Sequence, residues 1–190
     1  PRLDEFSSRY YEPTVGMPDQ GLYNYYLAQL YREGYTDDPH LIEAVTRNCD
    51  QFVYPRLRGG EWVYHVYRED GRVGYTREKR LYPTPSPCGT LLSAMALVCG
   101  YRLTGRKDWL RAALRSARRV VEESINRFRW GYLEYDTMGA DTMGIARMLL
   151  ALCELYRERS ANWLKDAALL TLHHLYAHQH HRDLQLVRYI

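Results

Sequence analysis

Three stretches of this chain repeat one pattern, and such a repeat limits the fold more than any single residue does. LAQLYREGYTDDPHLIEAVTRNCDQFV begins at Leu27, ALVCGYRLTGRKDWLRAALRSARRVV at Ala96 and ALCELYRERSANWLKDAALLTLHHL at Ala151. Each carries the end of one helix, a short polar turn and a second amphipathic helix. The last two superpose at an offset of 54 residues, which sets Trp109 on Trp163 and Cys99 on Cys153. The first and second lie near 69 residues apart, with His40 in the tryptophan's place. Long periods with unequal inserts describe stacked helix pairs whose loops are lengthened on one side for binding.

The expected fold is therefore all-α, three helical hairpins in one domain over residues 1–190, with repeats at about 19–54, 88–126 and 140–178. The helices are expected at about 19–33, 39–54, 88–104, 107–126, 140–158 and 161–178. In the fourth, Trp109, Leu110, Ala113, Leu114, Ala117, Val120 and Val121 recur at three and four, while Arg111, Arg115 and Arg118 follow the opposite face. Asp108 sits in its first turn, where a carboxylate faces the free amides. Asp38 followed by Pro39 is an N-cap followed by a proline at the first helical position, and Gly34 and Gly105 mark helix ends.

Antiparallel alternation then puts the short turns 34–38, 105–106 and 159–160 at one end of the stack and the long connections 55–87 and 127–139 at the other. Glu61 to Tyr67 reads as a strand, Asp70-Gly71 as a tight turn and Arg72 to Thr76 as the returning strand of a small β-hairpin. Pro83, Pro85 and Pro87 stiffen the run that follows.

A functional surface belongs on the long-loop end, because a rigid frame places such loops at low cost. Trp62, Tyr64, Arg68, Tyr82, Arg129, Trp130 and Tyr132 gather there, with Asp19 at the entrance of the first helix. Aromatic faces stack on sugar rings and charged groups bind hydroxyls or carboxylates, so this mixture reads as a glycan-binding surface. Glu134, Asp136 and Asp141 are the candidates for acid–base work, since glycoside cleavage needs two carboxyl groups flanking the bond. Asp141 also suits a helix cap. His65 is a candidate base or orienting group, and equally a loop-packing histidine.

Other features read as structural. The chain holds 18 tyrosines against 3 phenylalanines, which suits both wet grooves and crowded helix packing. A formal charge of +3 is too small to imply a nucleic-acid partner, and the arginine-rich stretch 101–129 reads as a solvated helix face. Trp109 and Trp163 are expected as packing anchors. Cys99 and Cys153 fall on apolar faces and are expected as buried free thiols. His173, His174, His178, His180 and His181 read as a frayed polar tail, although His174 and His178 have the spacing of a metal pair. No metal and no cofactor is expected. No apolar run is long enough to cross a bilayer, so no membrane span is expected. No leader is evident, yet the chain opens on Pro1, so cytoplasmic and exported placements both stay open.

YLEYDTMGADTMGIARMLLALCELYRERSANWLKDAA resembles a hairpin of the α/α-toroid carbohydrate-active enzymes: unsaturated glucuronyl hydrolases, N-acylglucosamine epimerase-like proteins and polysaccharide lyases. The resemblance implies a partial α/α toroid acting on an oligosaccharide or polysaccharide, with Glu134, Asp136, Asp141, His65 and Tyr82 in the funnel mouth. Those families build six or seven hairpins, so three imply an arc completed by self-association or by a further domain. The competing readings are a non-catalytic helical-repeat binding or assembly module and an enzyme for another substrate such as an isoprenoid. No DDxxD or DxDD motif supports the last.

Overall fold

The computed structural model describes residues 14–53, 65–67, 86–127 and 142–186, with side chains over 20–50, 52, 86–127 and 142–177. Among the described residues six α-helices pair into three hairpins. They are α1 (Met17–Arg32) with α2 (Pro39–Val53), α3 (Pro87–Thr104) with α4 (Lys107–Glu123), and α5 (Thr142–Glu158) with α6 (Asn162–Leu186). A single 3₁₀ turn, Ile125–Arg127, follows α4.

Local chemistry explains where the helices stop and start. Gly34 and Gly105 adopt φ of 76° and 74°, the left-handed conformation that ends a helix without a Cβ penalty. The Gly105 amide donates to the Tyr101 carbonyl at 2.7 Å. The Asp38 carboxylate accepts from the His40 amide at 2.9 Å and so caps α2. At α3 the Ser86 hydroxyl accepts from the Gly89 amide at 3.0 Å, with Pro87 at the first helical position.

Helices α1, α3 and α5 form an inner layer and run the same way. A Cβ on Gly21 would come within 2.6 Å of the Leu92 carbonyl carbon, so the early turns of α1 and α3 touch backbone to backbone. Cys88 Sγ lies 3.8 Å from the Gly144 carbonyl, at the starts of α3 and α5. At their far ends Arg102 donates to Glu154 at 2.6 Å and to Glu158 at 2.9 Å. Helices α2, α4 and α6 back this layer. Cys49 of α2 is wedged into it, accepting from Asn24 at 3.3 Å and reaching the Ala96 carbonyl at 3.5 Å. Gly100 leaves the room: a Cβ there would meet Cys49 Sγ at 2.5 Å and the Trp109 ring at 3.0 Å.

Several expectations change. The strand His65–Tyr67 pairs antiparallel with Thr14–Gly16, setting Gly16 opposite His65. That partner precedes α1 and was not foreseen; the expected return strand 72–76 lies outside the described residues. Cys99 is buried, but Cys153 is exposed, because among the described residues α5 has no inner-layer neighbour on its second side. The histidine-rich segment is no frayed tail, since α6 runs on as helix to Leu186. Trp109 is fully buried as expected, with the Arg106 guanidinium 4.1 Å over its ring. Trp163 is only half-buried and lies under Arg118, at 5.4 Å.

Candidate functional site

Because α1, α3 and α5 are parallel, both long connections leave and re-enter the helical layers at the end where these three helices begin. α3 contributes hydroxyls here. Ser86, Thr90 and Ser93 recur at four and three, on one side of its first two turns, and all three are buried. The Ser93 Oγ has no hydrogen-bond partner among the described residues, and neither does Thr142 Oγ1 at the start of α5. Asn24 is buried one level deeper, accepting from Asn48 at 3.2 Å while donating to Cys49. These are neutral donors and acceptors, suited to sugar hydroxyls and amides rather than to proton transfer. Their spacing was visible in S-x-x-x-T-x-x-S, but an apolar helix start drew no attention to it.

The inner layer's buried carboxylate is at the opposite end. Glu154 is 1% exposed and takes Arg102 on one oxygen and Arg157 on the other, each at 2.6 Å. Arg102 also donates to the Glu154 carbonyl at 3.0 Å. Burial works against the Arg102 charge, but its bonds to Glu154 and Glu158 outweigh that and hold its pKa above the ordinary value. This fork ties α3 to α5 and was not foreseen. Burial also pushes the Cys49 and Cys99 thiols up to about 12, so both are neutral and unreactive in the folded chain.

Of the residues singled out from sequence, Trp62, Tyr64, Arg68, Tyr82, Arg129, Trp130, Tyr132, Glu134, Asp136 and Asp141 lie outside the described residues. Asp19 falls in the first turn of α1 and His65 in the strand beside Gly16, so their backbones share the same end. Among the described residues no group of three histidine, cysteine, aspartate or glutamate side chains could hold a metal ion, and no helix is long and apolar enough to cross a membrane.

No family profile matches this chain, and no curated protein matches it. Solved structures do. The fold is similar to that of a sugar epimerase from a ruminal bacterium. The superposition has a TM-score of 0.65 at 13% identity and covers 85% of this chain. It covers only 43% of the epimerase chain, so this chain spans less than half the length of that protein. At such low identity the likeness shows the all-helical hairpin architecture.

Proposed function

We propose that this chain acts on a glycan, or forms part of an enzyme that does, by hydrolysis, lyase elimination or epimerisation. The observation that carries the reading is the fold shared with a sugar epimerase over 85% of the chain. The buried hydroxyls of Ser86, Thr90 and Ser93 at the starts of the inner helices add support. In this reading Trp62, Tyr64, Arg68, Tyr82, Arg129, Trp130, Tyr132 and Asp19 hold the saccharide. Glu134, Asp136, Asp141 and His65 supply the acid–base groups.

Tryptophan fluorescence titrated with neutral and acidic oligosaccharides tests it. A saturable change is expected, lost in Trp62→Phe and Trp130→Phe but kept in Trp109→Phe, whose ring is in the core. Turnover of any glycan that binds is expected to fall in Glu134→Gln and Asp136→Asn. No response from folded protein across the panel would sink the glycan reading and favour the assembly module, which the exposed apolar residues of α1 also suit.

A further inference from the structure

The large apolar side chains that stand exposed among the described residues are not scattered. Tyr23, Tyr26 and Leu30 are on α1, Met143 on α5, and Leu169 and Tyr176 on α6, each between 43% and 60% exposed. Only Tyr35, in a turn, falls elsewhere, and α2, α3 and α4 have none. Within the described helices the exposure is confined to α1 at one flank of the arc and to the α5–α6 hairpin at the other, where one more neighbour would cover it.

Both flanks have the geometry of a helix contact. On α1, Tyr23, Tyr26 and Leu30 recur at three and four, with Glu33 one residue past the helix end, on the side opposite Gly21, whose contact with Leu92 marks the α3 side. On α5, Met143, Ala146, Cys153 and Arg157 recur the same way and are exposed, with Leu150 among them half-buried at the edge of the core. The repeat supplies the decisive comparison. Cys99 and Cys153 occupy equivalent positions, yet Cys99 is buried, within the fields of Arg32 on α1 and of Glu154 and Glu158 on α5. Cys153 is exposed. Among the described residues the one has an inner helix on each side and the other lacks the second.

We infer that a second copy of this chain packs its α5–α6 flank against the α1 flank of the first, and that the reciprocal contact closes a two-copy ring. The helix levels set by Gly21 against Leu92 and by Cys88 against Gly144 carry across the new contact. They bring Tyr23 level with Leu150, Tyr26 with Cys153 and Leu30 with Arg157. Glu33 then meets Arg159, together with Arg157 that already holds one Glu154 oxygen, at the end of the flank, and both arginines are exposed in the single chain. This repeats, with the signs exchanged, the Arg102–Glu158 contact that already joins two parallel inner helices. A two-fold axis satisfies both contacts at once and leaves no open flank.

Light scattering across a dilution series is expected to give twice the 22.5 kDa chain mass. Tyr26→Glu with Leu30→Glu is expected to weaken that dimer at least tenfold while leaving the circular dichroism of the monomer unchanged. Mild oxidation of Tyr26→Cys is expected to give a covalent dimer, lost when Cys153→Ser is added. A monomer at every concentration would overturn the inference. So would a dimer indifferent to the glutamates, a crosslink that survives without Cys153, or a ladder of larger species.

Discussion

Helices α3 and α4 follow one another in the same hairpin and obey opposite rules. α3 is buried without a break from Cys88 to Gly100, whichever way its residues point. α4 buries one stripe, Trp109, Ala112, Ala113, Ser116, Ala117, Val120 and Val121, and turns its arginines to water. α3 packs against α1, α2, α4 and α5, whereas α4 packs chiefly against α3 and the turn that follows it. Amphipathicity therefore reports how many sides of a helix are covered, not how much that helix matters. α3 tolerates charge only at its end, where Arg102 finds two carboxylates.

That difference is sharpest where a charge is buried. Glu154→Ala is expected to cost about 3–5 kcal/mol, because it strips Arg102 of its main partner at the α3–α5 contact. Urea unfolding of the single variant, and of Glu154→Ala with Arg102→Met, measures it. The double variant should recover part of the loss, and no recovery would mean that the fork is not what joins the helices.

Truncation tests the contrast directly. Leu97→Ala on α3 is expected to cost about 2–5 kcal/mol, since the side chain is fully buried. Arg111→Ala on the exposed face of α4 should stay within about 0.5 kcal/mol. Equal losses in urea unfolding would break the comparison.

The smallest effect at neutral pH is a titration. Cys49 and Cys99 have an ordinary thiol value of 9.0 and rise to about 12 when buried. Their contribution to stability is whole below about 9 and is lost as pH climbs toward about 12, because only the unfolded chain then ionises. The urea midpoint should fall over that window, less steeply in Cys99→Ala. At neutral pH a thiol reagent should label Cys153 promptly in the dissociated single chain, where it is exposed, and Cys49 and Cys99 only on unfolding. A flat midpoint would show that these thiols are not held neutral by burial.

Much of the frame was legible because its signals are local. Asp38-Pro39, Gly34 and Gly105 act within a turn of the backbone, so the helix ends they mark could be read to within a few residues, whereas the last helix, expected to stop near 178, runs on to Leu186. The stripe of α4 was equally plain. The candidate site was far less legible. Its aromatic and acidic residues were chosen for their chemistry and their place in long connections. Of these the structure places the backbones of Asp19 and His65 at that end, and it adds Ser86, Thr90, Ser93 and Thr142, short hydroxyls at helix starts that resemble ordinary core. The pairing of Thr14–Gly16 with His65–Tyr67 joins segments far apart in sequence, and no local pattern announces such a partner.

The sequence by itself determined an all-helical chain of three repeated hairpins, its turn positions and which face of α4 meets the core. Those follow from backbone conformations and apolar spacing, which act over a few residues. Only the tertiary structure decided that α1, α3 and α5 form the inner layer, that Arg102 and Glu154 bury one another, and that Cys99 is enclosed while Cys153 is exposed. Each of these depends on what stands on the other side of a helix. Identical residues in equivalent repeats part ways because burial belongs to neighbours, and neighbours come from parts of the chain that local patterns do not connect.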